Sequence, residues 1–276
     1  MAEEGIERQK DIEKKTENKE TSEGSSKDSE EALIEARKKK VISFLKTKIN
    51  WLAYISLALL VWFSVWIRTR NLWGLKDITT GGWTLGPDLD PFLFLRWAKY
   101  IVQHGSIMVM DSMRYMPLGY NTSGELLFLP YGIAYLYKFM AFFSNKITVD
   151  YAGVIFPVVF FALTVIAFFL LVHKIFEEHF KHDKKIAYII ALVATAFLIV
   201  SPSLLPRTVA GIPEKESAGF FFMFLSFYLF LSAWKSKKTK NALILAALAG
   251  LATALMGHTW GGVIYVFITI GITVLS

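Results

Sequence analysis

There is no cysteine among the 276 residues of this chain. Disulfide scaffolds, thiolate metal sites and cysteine nucleophiles are therefore excluded. Charge is also scarce: 19% of residues are charged, against 54% hydrophobic and 15% aromatic. Most of that charge lies in the first 50 residues and in a few short loops. This is the profile of a polytopic membrane protein with a polar tail. The long apolar runs are nearly free of Asp, Glu, Lys and Arg, which speaks against a transporter, whose pathway intramembrane charges would mark. The net charge of +7 does not call for nucleic acid, because the basic residues flank apolar segments in the pattern of a positive-inside bias.

Residues 1–42 are rich in Glu, Lys, Ser and Thr and end near Arg37-Lys38-Lys39-Lys40. Such a segment cannot bury enough apolar surface to order itself, so it is expected to be a disordered cytoplasmic tail with no signal peptide ahead of it. Six apolar segments follow, at 51–67, 126–143, 151–172, 186–205, 217–234 and 241–256, and a seventh run occupies 263–276. That last run is shorter than the ~20 residues a spanning helix needs, so the chain is expected to end inside a span.

The basic stretches at 38–40, 181–185 and 235–240 belong on the cytoplasmic side. All three fall there only if one segment does not cross. The segment 126–143 carries Pro130, Gly132 and Lys138 and reads best as an interfacial or re-entrant helix. Residues 68–150 then form a large first external loop and 206–216 a second, with 257–262 as a short external turn.

The external loops hold the informative residues. Asp88 and Asp90, two apart in Gly86-Pro87-Asp88-Leu89-Asp90-Pro91, are hard oxygen donors suited to a divalent cation. Asp90 also suits a helix cap, with Pro91 at the first helical position and Phe92, Leu93, Leu95, Trp97, Tyr100 and Ile101 as the apolar face. More than 120 residues later, Glu214-Lys215-Glu216 opens another segment after Pro213, where acidic groups favour the positive end of a helix dipole. Arg207, seven residues before Glu214, could hold an anionic phosphate beside a cation. Asp111 and Arg114 either line a substrate groove or form an ordinary loop ion pair. Asn121-Thr122-Ser123 is an acceptor sequon, so Asn121 is a possible glycosylation site. Trp260 is read as an interfacial anchor.

Four blocks together resemble the catalytic subunit of oligosaccharyltransferase, particularly its archaeal form. They are Leu89-Asp90-Pro91-Phe92-Leu93-Phe94-Leu95-Arg96, then Met116-Pro117-Leu118-Gly119, then the stretch from Arg207 to Glu216, and finally Thr259-Trp260-Gly261-Gly262. They occur in the family's order. The resemblance implies an all-α polytopic membrane protein of the GT-C glycosyltransferase type, with interfacial helices in the first external loop. Residues 43–276 would be the N-terminal part of its transmembrane catalytic domain, without the family's C-terminal soluble domain.

It further implies an inverting, metal-dependent transfer of oligosaccharide from a lipid carrier, dolichyl phosphate or diphosphate, to the asparagine of Asn-X-Ser/Thr sequons. Asp90 would be the catalytic carboxylate and bind Mg²⁺ or Mn²⁺ together with Glu214 and Glu216. The family's usual residue at the position of Glu214 is aspartate. Arg207 would lie near the lipid-linked phosphate, with Asp88 just outside the ligands of the ion. The partners would be the lipid-linked glycan, the acceptor protein and membrane lipid, with the active site on the external face of the cell membrane. A chain lacking the family's later parts is not expected to transfer glycan by itself. Another lipid-phosphate-sugar enzyme of this type, such as a protein O-mannosyltransferase, and a non-catalytic transporter or scaffold stay open as alternatives.

Overall fold

The computed structural model describes residues 51–180 and 183–275. The expected tail over 1–42 lies outside the described residues, as does part of the basic loop at 181–185. The described chain is helical, with one two-stranded hairpin. Helix α1 spans Trp51–Arg68 and α2 spans Leu89–His104. Strands β1 (Met110–Asp111) and β2 (Tyr120–Asn121) pair antiparallel, with Met110 opposite Asn121 and Asp111 opposite Tyr120. Six further helices follow: α3 (Phe128–Phe143), α4 (Val149–His179), α5 (Lys184–Val200), α6 (Leu205–Thr208), α7 (Lys215–Trp234) and α8 (Thr239–Gly257). Helix α9 covers Val263–Leu275.

Four of these helices, α1, α4, α7 and α8, are long and apolar enough to cross a membrane. Helices α5 and α9 are shorter and apolar, at 17 and 13 residues. Helix α5 stops at Val200, where 186–205 was expected to run on. Ser201 precedes Pro202, and the clash of a proline ring with the preceding residue disfavours helical backbone there. Helix α4 runs past 172 to His179, ending in a charged turn with Lys174, Glu177 and Glu178.

Helix α3 has 16 residues, about 24 Å at ~1.5 Å per residue, short of a ~30 Å hydrocarbon core. Pro130 sits in its first turn, where the missing N–H has no partner to lose. Its inward face, Leu129, Ile133 and Ala134, packs on Phe94, Trp97, Ala98 and Ile101 of α2. The α2 positions recur at i, i+3, i+4 and i+7, one helical stripe. Phe92 is not in it: it is 47% exposed, whereas Phe94 and Ala98, which the sequence reading left out, are buried. Gly132 lets α3 approach α4, since a Cβ there would lie 2.8 Å from the Phe156 ring. A second apolar cluster joins α1, α4 and α5 through Ala53, Leu57, Phe161, Phe169, Ala191 and Ile199.

Candidate functional site

Two loops cross at the ends of α1 and α4 that lie away from the lysine-rich turns. Gly86 N donates to Gly211 O at 2.8 Å, and Gly211 N donates to Val154 O near the start of α4, also at 2.8 Å. Gly211 has φ +86°, a left-handed conformation that a side chain strains. A Cβ there would stand 2.6 Å from Leu75 Cδ1 and 3.1 Å from Gly86 N. A Cβ on Gly86 would meet the Ile212 side chain at 2.9 Å. Contact this close needs both glycines, and it sets the N-terminus of α2 beside that of α7.

Both helices begin in the same register. Asp88 is the N-cap of α2, with extended backbone, and its Oδ1 accepts from Leu89 N at 2.8 Å. Asp90 is two positions on, exposed in the first turn. Glu214 is the N-cap of α7 and Glu216 stands two positions on. The sequence pattern alone points to Asp90 as the cap. The structure gives it to Asp88, because Leu89 is already helical and Pro91 falls at the third helical position, still among the residues whose N–H would be unpaired. Asp90 is thereby left uncommitted.

Arg207, on α6, ties the two acidic pairs together. Its Nη1 lies 3.7 Å from Asp88 Oδ2 and 3.5 Å from Glu214 Oε1. Glu214 is buried at 5% exposure, and its side chain makes no capping bond to α7. Burial first, and then the charges of Asp88, Glu216 and Asp90, push its carboxyl up to about 7, with Arg207 pulling the other way. Four carboxylates thus gather at the positive ends of two helices, and one arginine pairs with two of them, Asp88 and Glu214. That donor set and its surplus negative charge suit a hard divalent cation. Among the described residues, however, no three acidic or histidine side chains converge closely enough to enclose an ion.

The hairpin residues lie elsewhere and are held by other partners. Asp111, 1% exposed, receives both Nη atoms of Arg96, Trp97 Nε1 at 2.9 Å and Met113 N at 3.1 Å. The Arg96 bond is the chief reason its carboxyl falls to about 2. Arg114 pairs with Glu125 at 3.3 Å rather than with Asp111, and lies 3.9 Å over the Tyr120 ring. Tyr120 Oη donates to the same Glu125 oxygen at 2.6 Å. Asn121 is exposed, and its Oδ1 accepts from Ser123 N at 2.9 Å. Trp260, expected at the membrane interface, packs inward on Gly219 and Phe220 at the start of α7.

Two further residues hold the site together without being evident as site residues in the sequence, Gly86 and Arg68. Arg68, in the last turn of α1, is fully buried. Its Nε donates to Thr208 Oγ1 at 2.8 Å and its Nη1 to Ile199 O at 3.2 Å. A signal for the crossing was present in the repeated order glycine, proline, acid-x-acid, in Gly86-Pro87-Asp88-Leu89-Asp90 and Gly211-Ile212-Pro213-Glu214-Lys215-Glu216.

Residues 79–276 match the family model described as oligosaccharyl transferase STT3, N-terminal. The chain belongs to the STT3 oligosaccharyltransferase family. It is 27% identical over 187 residues to the dolichyl-diphosphooligosaccharide–protein glycosyltransferase subunit stt-3 of Caenorhabditis elegans, covering 66% of this chain and 22% of that protein. The subunit stt3 of Schizosaccharomyces pombe is 27% identical over 188 residues, covering 66% of this chain and 23% of that protein. The chain therefore spans about a quarter of the length of the curated relatives it matches.

Its fold is similar to that of the Archaeoglobus fulgidus oligosaccharyltransferase AglB solved with an inhibitory peptide and a dolichol-phosphate. The TM-score is 0.63 at 20% identity, covering 78% of this chain and 24% of that one. A structure of an Archaeoglobus fulgidus oligosaccharyltransferase with zinc and sulfate gives 0.60 at 20% identity, covering 75% and 25%. The STT3 chain described here has this GT-C membrane fold.

Proposed function

We propose that this chain forms part of an enzyme that transfers an oligosaccharide from a lipid-phosphate carrier to the asparagine of Asn-X-Ser/Thr sequons, with its site at the two acidic helix N-termini. One observation carries the reading: in an STT3-family chain, two acid-x-acid motifs 124 residues apart meet through a glycine crossing and share Arg207. Structural tasks alone do not call for this arrangement. One carboxylate suffices to cap a helix, and a buried glutamate with no capping bond is a cost to the fold.

The lysine-rich ends of the helices lie away from this site. Lys235, just after α7, pairs with Glu178 at the far end of α4 at 3.2 Å, and Lys237, Lys238 and Lys240 follow it. A positive-inside bias places that end in the cytoplasm and the acidic cluster on the external face. Helix α3, too short to cross, lies along that outer surface.

Within the site the residues divide the work. Arg207 is half exposed, so the guanidinium that touches Asp88 and Glu214 keeps N–H groups for phosphate oxygens of the lipid carrier. Asp90, free of the capping bond, orients the poorly nucleophilic acceptor amide toward the anomeric carbon. Asp90, Glu214 and Glu216 would hold Mg²⁺ or Mn²⁺, which when bound neutralises charge on the departing phosphate. The dolichol-phosphate and peptide of the archaeal neighbour support a lipid donor and a peptide acceptor, and the zinc of the other archaeal structure supports a divalent cation.

The test is transfer from lipid-linked glycan to a sequon peptide by the full-length protein, with and without EDTA. Chelation and Asp90→Ala should each abolish transfer. Unchanged transfer by Asp90→Ala would remove Asp90 from the mechanism, and product linked through serine or threonine oxygen would replace the reaction.

A further inference from the structure

Arg207 can bridge Asp88 and Glu214 only if α6, a single turn of four residues, is held in place by its surroundings. Its neighbour Thr208 is buried. The Thr208 hydroxyl donates to Leu204 O at 2.6 Å and accepts from Arg68 Nε at 2.8 Å. The same Arg68 grips the loop a second time through its backbone, since Ala210 N donates to Arg68 O at 2.9 Å. Asn71, the next turn on, adds a bond from its Nδ2 to Ala210 O at 2.8 Å. The segment carrying Arg207 is thus tied to the end of α1 at Thr208 and again at Ala210.

Arg68 is an uncommon choice for this position. Its side chain is fully buried and, among the described residues, has no carboxylate within ion-pair distance. Taking a guanidinium out of water without a counter-ion is costly. Two features offset the charge: Nη1 reaches Ile199 O in the last turn of α5, where unpaired carbonyls carry negative partial charge, and the guanidinium lies 3.4 Å from the Phe161 ring centroid. An apolar side chain would fill the same space without that desolvation. What it could not supply is a rigid, directional donor fork that joins α5, α1 and Thr208 at once.

We infer that Arg68 is a positioning residue for Arg207: acting through Thr208, it fixes α6 so that the Arg207 guanidinium stands between the two acidic pairs. The inference rests on the functional reading given above for that cluster. Replacing Arg68 itself risks unfolding the bundle, so Thr208 is the place to test it. In the full-length protein, Thr208→Val should lower transfer from lipid-linked glycan to a sequon peptide by about 10- to 100-fold, the usual cost of losing an orienting partner, through a raised KM for the lipid-linked donor. Thr208→Ser keeps the hydroxyl and should restore transfer. In an Arg207→Ala background, Thr208→Val should cause no additional loss, because the two changes act on one interaction.

Wild-type transfer by Thr208→Val, failure of Thr208→Ser to rescue, or losses that multiply in the double variant would each overturn this inference while leaving the functional reading intact. A wild-type protein that transfers no glycan would overturn both.

Discussion

The N-termini of α2 and α7 share a sequence plan and differ in environment. In each, an acidic residue follows a proline, caps the helix position and is followed two places on by a second acid. Asp88 is partly exposed and spends an oxygen on Leu89 N. Glu214 is buried, caps nothing with its side chain, and is pushed up to about 7. The α2 terminus is locally stable and leaves Asp90 in solvent. The α7 terminus carries repulsion that only Arg207, or a bound cation, relieves. Stability and chemistry are thus divided between two copies of one motif.

The most damaging way to break the pairing is at the glycine crossing. Gly211→Ala must place a side chain at φ +86° and against Leu75 and backbone, so a loss of about 3 kcal/mol is expected, combining strain and overpacking. Gly86→Ala meets Ile212 Cγ1 at 2.9 Å, without the left-handed backbone of Gly211, so about 2 kcal/mol is expected. Thermal unfolding of the two variants should rank them in that order. Equal losses would mean that the crossing is not what seats α7 beside α2.

The second difference is electrostatic and depends on pH. Because the Glu214 carboxyl is raised from an ordinary 4.5 to about 7, the unfolded chain loses its proton first as pH rises. The folded state is therefore favoured while the group is protonated, and that advantage falls away between about pH 4.5 and pH 7. Glu214→Gln should remove this slope. At pH 8 it should make the protein more stable by about 3 kcal/mol, and below pH 4 it should change little. Denaturant midpoints measured across that range check the sign; a variant less stable than wild type at pH 8 would contradict the burial and repulsion assigned to Glu214. Bound cation would compete with the same proton, so Mn²⁺ affinity should weaken below about pH 7.

The pattern of apolar runs made the helices and their order legible. The four blocks made the family legible. Three details were not. The cap moved from Asp90 to Asp88 because Pro91 fits more than one position in a first turn. The Gly86–Gly211 contact joins residues 125 apart, and no local periodicity reports it. Asp111 and Arg114, close in sequence, pair with Arg96 and Glu125 instead of each other, because a hairpin decides which side chains meet.

A third prediction separates capping from charge at α2. Asp88→Ala should cost about 1 kcal/mol, the usual worth of an N-cap, whereas Asp88→Asn keeps an acceptor for Leu89 N and should cost a few tenths at most. Guanidinium chloride midpoints would distinguish them. Similar losses for both would show that Arg207 needs the charge of Asp88 more than α2 needs its cap.

The smallest effect on stability should come from Asp90, and it sharpens the comparison most. Asp90 is exposed and makes no side-chain hydrogen bond or ion pair among the described residues. Asp90→Asn should therefore shift stability by no more than about 0.5 kcal/mol, as for an ordinary surface substitution. If Asp90 meets the acceptor amide, the same variant should lower kcat for glycan transfer by about 100-fold or more. Glu214→Gln would share the catalytic loss while stabilising the fold at pH 8. Two variants with a common effect on transfer and different effects on stability would show that the acid freed at α2 and the acid buried at α7 serve one reaction. An Asp90→Asn protein that keeps wild-type kcat would leave the buried member alone as the catalytic half of the motif.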